Sequence, residues 1–332
     1  MFWVTTSKVS IADIAKALNI STMSVSRGLS GKSGISDDLR SKIEQTAKEM
    51  GYLKQKSDIA LNILILHQKP FIQDNSNYSA TVQGMEKAIQ EVNVDYSIEF
   101  VDKTKQDNMY LPCKLSKGNK FDGVIFIGNF NEAYVEYIKQ KIKNQVFYAG
   151  YLPSYDYDSV CTNFNNGGYK QCEYLIAHGH RNIGFIGNTD FFRNKERLLG
   201  ITSALENHQI PVRKELFLNF EIDWERNILD LLNKHEGPTA VICQWDFTAI
   251  QLIKFLHENG FSVPQDISVI GSGNTEMSTL CLPSLTTLDL HIEYSCETAV
   301  ALLLKRIANE NKPSENISIN STLIERDSVK VI

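Results

Sequence analysis

Short apolar runs alternate with longer amphipathic stretches from about residue 62 to residue 332, and this alternation limits the possible folds more than any other feature of the chain. The apolar runs predicted as strands are 63–67, 96–101, 122–127, 146–148, 159–162, 182–186, 240–243 and 267–270. The stretches predicted as helices are 80–92, 132–143, 167–178, 193–208, 226–234, 247–259 and 293–310. Strands that alternate with helices predict parallel sheets covered by helices. Because roughly 270 residues are many for one such sheet, we predict an α/β body of two lobes.

The N-terminal 55 residues have an all-α pattern instead. Ser10 can cap a helix over 11–18 that has one apolar face, and Asn19 can end that helix in a left-handed conformation. After this tight turn, Ser21 can cap a second helix over 22–29.

The second helix has only Val25 and Leu29 on its inward side, and a third helix is predicted over 37–50. The outward side of the second helix carries Thr22, Met23, Ser26 and Arg27. Two short helices joined by a tight turn, with the second polar outward, are the plan of a DNA-binding helix-turn-helix. The periodicity alone fits a small structural three-helix bundle equally well.

Charge is distributed unevenly along the chain. Residues 1–56 contain nine Lys/Arg and five Asp/Glu, a net charge of +4, whereas the other 276 residues contain 25 and 34, a net charge of −9. A basic end on an acidic body is typical of a DNA-binding module attached to a regulatory domain, although four charges could also arise by chance.

Composition and motifs disfavour several classes of protein. No apolar run approaches the roughly 18–20 residues that span a bilayer, and the N-terminal residues lack the apolar region of a signal peptide. The six cysteines are dispersed, without a C-x-x-C pair or a histidine at ligand spacing, so we expect a cytoplasmic protein with no metal and no cofactor. The sequence has no glycine-rich phosphate loop and no G-x-S-x-G, which disfavours an enzyme.

Long motifs run through both parts of the chain. The run VSIADIAKALNISTMSVSR at 9–27, with Gly51-Tyr52 after it, resembles the head of the lactose-repressor/galactose-repressor family of transcription regulators. The body segments YLIAHGHRNIGFIG at 174–187 and VPQDISVIG at 263–271 follow the order of the same family. The resemblance implies an all-α helix-turn-helix head and an α/β two-lobed body similar to periplasmic sugar-binding proteins, with a ligand cleft at the carboxyl ends of the strands.

The resemblance also implies which head residues touch DNA. Side chains expected at base edges in the major groove are Thr22, Met23 and Arg27. Side chains expected near phosphates are Ser10, Ser21, Ser24 and Ser26. The chemistry agrees, because arginine can bind guanine through two hydrogen bonds, and hydroxyls and helix N-termini suit phosphates.

We predict a DNA-binding domain at 1–55, a linker at 56–62, and two lobes that each contain two segments. The lobes are 63–160 with 291–319 and 161–290 with 320–332. The family usually ends its longer link in a hinge helix with Ala-Arg-Ser-Leu, which is absent here. Ile59-Ala60-Leu61 is either a remnant of that helix or the start of a strand, so minor-groove insertion by a hinge is in doubt.

Several body residues match ligand positions of the family. Arg197, in Arg-x-x-Gly, would hold sugar hydroxyls or a carboxylate, or else form a surface ion pair. Trp224 would stack on a sugar or belong to the core, and Trp245 would narrow the cleft. Asp246 would accept hydroxyl hydrogen bonds or cap the next helix, and Tyr78 would form a wall of the first lobe or be an exposed loop aromatic.

One loop departs from the family pattern. Where relatives commonly carry an acidic ligand residue, this chain has Gly271-Ser-Gly-Asn274. Asn274 can replace the acid only in part, so the effector differs from the usual simple sugar or other residues recognise it.

These features predict a sequence-specific DNA-binding transcription repressor whose affinity for operator DNA is controlled by a sugar or glycoside bound between the lobes. A homodimer is expected because one head offers too little surface for high specificity. The alternative is a sugar-binding protein without DNA-binding function.

Overall fold

The structure is a computed structural model that describes residues 10–29, 34–50, 61–68, 75–150 and 156–332. The chain divides into two compact units, here called the head (residues 1–61) and the body (residues 62–332). Within the described ranges, every helix is too short or too polar to cross a membrane. The predicted linker up to residue 60, with Ile59 and Ala60, lies outside the described residues.

The head contains the three helices that the sequence predicts: α1 (Ile11–Leu18), α2 (Thr22–Leu29) and α3 (Asp37–Glu49). The N-terminus of α1 has a capping box, since Ser10 and Asp13 exchange side-chain and backbone hydrogen bonds, and Asn19 ends the helix at a φ of 54°. The residues that meet in the centre are fully or almost fully buried: Ile14, Ala15, Val25, Ile43 and Ala47.

The body begins with a first run of helices and strands that builds one sheet. Its elements are β1 (Asn62–Gln68), α4 (Asn75–Val92), β2 (Asp95–Val101), α5 (Lys103–Asp107), α6 (Cys113–Ser116), β3 (Gly123–Ile127), α7 (Glu132–Lys139), β4 (Gln145–Tyr148) and β5 (Asp158–Thr162). The predicted boundary of the first lobe at residue 160 falls inside β5.

A second run builds the other sheet. Its elements are α8 (Phe164–Ala177), β6 (Ile183–Gly187), α9 (Phe192–Asn207), β7 (Phe217–Asn219), α10 (Trp224–Asn233), β8 (Ala240–Cys243), α11 (Asp246–Glu258), β9 (Ser268–Ile270), α12 (Glu276–Leu280) and β10 (Thr287–Asp289). The chain ends with α13 (Ile292–Ala308), β11 (Asn316–Ile319) and β12 (Thr322–Ile324).

The two sheets define two lobes. The first sheet has the strand order β2-β1-β3-β4-β5-β11 and the second has the order β7-β6-β8-β9, and all pairings within both are parallel. An antiparallel pair, β10 with β12, forms a third small sheet. The predicted α/β body with parallel sheets is therefore confirmed.

Three chain crossings join the lobes. The first follows β5, the second lies between β10 and α13, and the third lies between β11 and β12. Helix α13 returns to the first lobe, where Cys296, Val300 and Leu303 share a buried cluster with residues of β1 and β3. The C-terminus joins the second lobe, since the Ile332 amide donates to the His178 carbonyl.

A buried ion cluster fixes this return of the chain to the first lobe. The Asp158 carboxylate, at the start of β5, accepts hydrogen bonds from Arg306 Nε at 2.8 Å and Nη2 at 2.9 Å. Lys312 Nζ lies 2.7 Å from Asp158 Oδ1, and the Glu315 amide donates to the same oxygen. The side chain of Asp158 is fully buried, so its charge is stabilised by partners that lie about 150 residues away in sequence.

The sequence did not predict α5, α6, α12 and four strands, β7, β10, β11 and β12. Each has only three to five residues. Segments this short repeat their period once or twice at most, which is too little for a distinctive local pattern, and tertiary pairing defines them instead.

Candidate functional site

The outward face of α2 is polar and exposed. Its exposed side chains are Thr22, Met23, Ser26 and Arg27, and Met23 is 63% accessible. On the opposite face Val25 is fully buried and Leu29 is half-buried. Gly28 packs so closely on α3 that an added Cβ would lie 2.8 Å from Cδ1 of Ile43. This close packing leaves the polar side of α2 on the surface.

The predicted phosphate-contacting serines lie at the starts of α1 and α2. Asp13 Oδ2 accepts hydrogen bonds from Ser10 Oγ at 2.7 Å and from the Ser10 amide at 2.8 Å. These two hydrogen bonds hold the pKa of Asp13 below its ordinary value. Ser21 Oγ accepts from the Ser24 amide at 3.1 Å and lies 2.9 Å from Ser24 Oγ. Both helix N-termini, which carry partial positive charge, are therefore capped by exposed hydroxyl residues.

In the body, a cavity of about 760 Å³ is lined by residues of both lobes. Its lining includes residues at or just after the carboxyl ends of six strands: His67 and Gln68 (β1), Gly128 (β3), Ala149 (β4), Asn163 (β5), Asn188 (β6) and Gln244 (β8). Open parallel sheets bind ligands at this edge, so the cavity, here called the cleft, has the expected position.

Two of the predicted effector residues line the cleft. Tyr78, in α4, is half-buried, and its ring lies 4.8 Å from the ring of His67 in an edge-to-face arrangement. Trp245, between β8 and α11, is half-buried and lies 6.1 Å from the ring of Phe164. The cleft therefore has an aromatic residue from each lobe at a predicted position.

Arg197 lies behind the cleft lining rather than in it. The guanidinium is inaccessible and lies 5.1 Å from the ring centroid of Phe164 and 5.7 Å from that of Trp245, and both rings line the cleft. Its Nη1 donates to the Gln244 carbonyl at 2.8 Å.

The alternative interpretation of Arg197 as a surface ion pair is wrong. Among the described residues no carboxylate lies within ion-pair distance of Arg197, and its Nε and Nη2 have no hydrogen-bond partner there. Burial lowers the pKa of Arg197 to about 9.

Trp224 is a core residue and does not line the cleft. It is 7% exposed, packs against Ile228, and contacts the rings of Phe220 and Phe255 at centroid distances of 5.6 and 5.4 Å. The prediction that it stacks on a ligand therefore needs correction. Trp224 starts α10 with its apolar ring facing inward, because the rest of that helix face packs on α11 and β8 in the same cluster.

Asp246 is also outside the cleft lining, because its carboxylate is already used. Thr275 donates to Oδ2 from its amide at 2.8 Å and from its hydroxyl at 2.9 Å, and Thr287 donates to Oδ1. Asp246 is the first residue of α11 rather than its cap, a position taken by Trp245. Burial, opposed by these hydrogen bonds, raises the pKa of Asp246.

Asn274 turns towards the lobe crossings instead of the cleft. Its Nδ2 donates to Asp289 Oδ2 at 3.2 Å, and its Oδ1 accepts from Arg326 Nη2 at 2.6 Å. The residue has a φ of 49°, in the left-handed region that asparagine tolerates. The prediction that Asn274 takes over the role of an acidic ligand residue is therefore not supported by its position.

The sequence missed several polar cleft residues. His67 and Asn77 are almost fully buried, and His67 Nε2 and both polar side-chain atoms of Asn77 have no hydrogen-bond partner among the described residues. Buried polar atoms of this kind normally have partners, so these groups are available to a polar ligand. His67 could have been found from its place at the end of a predicted strand, whereas Asn77 lies before the predicted start of its helix.

Within the described ranges, no group of three or more His, Cys, Asp or Glu side chains is arranged to hold a metal ion. None of the six cysteines is in a disulfide.

Comparisons with known proteins agree with both parts of the fold. Residues 10–55 match the bacterial regulatory proteins of the lacI family, and residues 172–329 match a periplasmic binding protein-like domain. Across 97% of the chain and 98% of the relative, the sequence is 27% identical to the probable HTH-type transcriptional repressor ExuR of Bacillus subtilis.

Two solved structures have the same fold. The lac repressor dimer bound to operator and the anti-inducer ONPF superposes with a TM-score of 0.69 at 20% identity, covering 98% of this chain and all of that one. A LacI family transcriptional regulator from Enterococcus faecium with bound ribose superposes with a TM-score of 0.67 at 25% identity, covering 81% of this chain and 99% of that one. With its lacI-type head and its binding-protein-like body, the chain belongs to the lactose-repressor/galactose-repressor (LacI) family of transcription regulators.

Proposed function

We propose that this family member is a repressor that reads operator DNA with the exposed face of α2. The observation that carries the proposal is the exposure of the side chains on this face, in a head whose first two helices have N-termini capped by the exposed residues Ser10 and Ser21. Arg27 donates to guanine, and Thr22 and Met23 contact neighbouring base edges, Met23 through an apolar contact. The phosphate contacts come from Ser10, Ser21, Ser24 and Ser26, of which Ser10 and Ser21 are also helix caps.

The cleft of the body binds the effector, a sugar or glycoside, between Tyr78 and Trp245. This assignment is supported by the position of the cleft at the strand ends and by buried polar atoms of His67 and Asn77 that have no partner among the residues that the structure describes. The ribose bound to the Enterococcus faecium relative also supports it. A ligand that contacts both lobes favours one arrangement of the lobes over another, and thereby changes the affinity of the chain for DNA.

The working form is a homodimer, as in the lac repressor bound to operator. An exposed apolar patch supports this form: Met277, Leu280 and Leu282 are 50%, 72% and 90% accessible. Leu282 also lines a second cavity, of about 820 Å³, with Ile253 of α11. Large exposed apolar side chains grouped in one short segment are typical of protein interfaces, and a second copy of the chain would cover them.

The decisive experiment is a gel-shift titration with DNA from the promoter region of the chain's own gene, at low salt, against a shuffled duplex of equal length. We expect a specific shift that one sugar or glycoside weakens or strengthens. The absence of both a specific shift and a ligand response would reject the proposal. A double variant, Leu280→Asp with Leu282→Asp, should sediment as a monomer and still respond to the ligand in a thermal shift.

The chain acts in the cytoplasm, where its DNA lies, and turns over no substrate. The relatives are transcriptional repressors, which supports both statements. Release of nitrophenol from nitrophenyl glycosides by the pure protein would contradict the second statement. The alternative, a sugar-binding protein without DNA-binding function, would show the ligand response and no specific gel shift.

A further inference from the structure

The composition of the cleft is unusual for a site that binds a small sugar alone. Ten of its 34 lining residues are Phe, Tyr or Trp, about three times the share of these residues in the whole chain. Only three are charged, Arg193, Glu196 and Glu221. The cleft also lacks the carboxylates expected near a sugar. Asp246 accepts hydrogen bonds from Thr275 and Thr287 outside the cleft lining, and the 271–274 loop has no acidic residue.

The second lobe supplies a supported aromatic surface, here called the platform, which consists of Phe164 and Trp245. The two rings meet edge to face at 81°. Arg197 packs against both rings from within the protein, and its hydrogen bond to the Gln244 carbonyl fixes the residue that precedes Trp245. Because a buried cation and aromatic rings attract each other, moving either ring away from Arg197 would cost free energy.

This arrangement changes the role of Arg197. Because the guanidinium is inaccessible and both of its aromatic neighbours line the cleft, a ligand meets the rings rather than the arginine. Arg197 is a positioning residue in this state, and its support makes the platform a rigid surface for a flat or apolar partner.

The first lobe supplies a second aromatic wall. Tyr78 leans on His67, which is almost fully buried, and the ring of Phe100 lies 5.8 Å from His67 and 6.1 Å from Tyr78. The cleft between this wall and the platform measures about 760 Å³, in the upper part of the range of about 300–1,000 Å³ that is typical for drug-sized ligands. A cavity of this volume has room for a second ring beside a monosaccharide ring, so one ligand can cover both aromatic walls.

We propose that the effector is a two-ring glycoside whose first sugar ring lies against Tyr78 and whose second ring lies on the Phe164–Trp245 platform. Amide side chains of the cleft lining hydrogen-bond its hydroxyls: Asn77, whose polar atoms have no partner among the described residues, and Asn188. The second ring is either an aryl group or a second sugar that presents its apolar face. This inference rests on the proposed function, because it specifies the ligand of the same cleft.

The test is calorimetric titration of the full chain with matched glycosides. The probes are methyl and 4-nitrophenyl glycosides of glucose, galactose and xylose in both anomeric forms, with the free sugars and with cellobiose and lactose. We expect at least one two-ring compound to bind about tenfold or more tightly than the one-ring compound with the same sugar, because its second ring buries additional apolar area and adds an aromatic contact. Tighter binding of the aryl glycosides identifies an aryl second ring, and tighter binding of the disaccharides identifies a sugar.

Three variants test whether Trp245 and Arg197 determine the two-ring preference or affect the folding of the body as a whole. Trp245→Leu should remove most of the two-ring preference and leave the affinity for the matching methyl glycoside within about threefold. Arg197→Met should weaken the same preference while Trp245 stays in place. The control is Tyr294→Leu, an aromatic residue on α13 that is 61% exposed and outside the cleft, and it should change neither affinity.

Equal affinity for one-ring and two-ring partners, or no binding by any member of the panel, would overturn the inference. Neither result bears on DNA recognition, which is scored separately by the gel shift without ligand. A free monosaccharide that binds tightly and changes the gel shift would uphold the proposed function and reject the two-ring effector.

Discussion

The head and the cleft are built in opposite ways. The head is held by local contacts: a capping box that spans three residues and a core of three short helices within 50 residues of sequence. The cleft joins His67, Tyr78, Phe164 and Trp245, which lie on both lobes and far apart in sequence. A small unit that folds from local signals can carry the DNA-reading surface, whereas a two-lobed site can change shape when a ligand bridges its walls. Four substitutions test how far this contrast holds.

The largest effect is expected from the ion cluster that closes the first lobe over long sequence distances. Asp158→Asn leaves Arg306 and Lys312 without their buried counter-charge, and should lower the free energy of unfolding of the body by about 3–5 kcal/mol. The measurement is urea unfolding followed by circular dichroism at pH 7. The control is Asp230→Asn, which removes an exposed carboxylate 4.0 Å from Arg226 and should change little.

The same substitution predicts a pH dependence. Burial alone would raise the pKa of Asp158, but hydrogen bonds from Arg306 and Lys312 outweigh it, and the pKa lies below its ordinary value. A carboxyl whose pKa is lowered in the folded state stabilises the protein above its unfolded pKa, about 3.9, and loses this contribution as the pH falls through the folded value. The difference between wild type and Asp158→Asn should therefore be full above about pH 5 and shrink towards pH 3. A difference independent of pH would contradict the assignment.

The second substitution should disable the head and spare the body. Gly28→Val places methyl groups where Cδ1 of Ile43 already lies 2.8 Å from an added Cβ, and overpacking of this kind costs about 1–3 kcal/mol. We expect operator affinity to fall about tenfold or more while the ligand-induced thermal shift of the body stays unchanged. Ala12→Val, which enlarges an exposed position of α1, is the control. A loss of ligand binding in Gly28→Val would contradict the expectation that the head and the body, which have separate cores, respond independently to this substitution.

The third substitution separates reading from folding within the head. Arg27→Ala should weaken operator binding by about 1–3 kcal/mol, a factor of roughly 10 to 100, and leave thermal unfolding unchanged because the side chain is exposed. Fluorescence anisotropy at fixed salt measures the affinity. Arg226→Ala is the matched control, since this exposed arginine lies in α10 of the body, 4.0 Å from Asp230. Equal losses in both variants would mean that net charge, not a base contact, carries the effect.

The smallest effect is expected at the start of α1. Ser10→Ala removes both side-chain hydrogen bonds with Asp13, and the loss of such a cap costs about 0.5–2 kcal/mol. Thermal unfolding of the head, followed by helical circular dichroism, should shift down by a few degrees. Ser41→Ala, at an exposed site inside α3, should leave it unchanged or slightly higher. If Ser10→Ala unfolds as wild type does but binds DNA weakly, its role is phosphate contact rather than capping.

Local patterns in the sequence determined the head almost completely. The helix bounds, the cap at Ser10 and the left-handed end at Asn19 all follow from side chains within four residues of one another, and the structure confirms them. The same reasoning gave the eight main strands and the long helices of the body, because a buried strand or an amphipathic helix records its surroundings in its own periodicity.

Only the tertiary structure decided which residues reach the cleft. Trp224, Asp246 and Asn274 lie on the expected elements, but their partners lie elsewhere. Trp224 packs in a core cluster, Asp246 accepts hydrogen bonds from two threonines, and Asn274 donates to Asp289. Arg197 was predicted as a ligand contact and lies behind Phe164, a residue that no local signal singled out. The physical reason is that a side chain's partner is chosen by residues far away in sequence, whereas a helix or a cap is chosen by its neighbours.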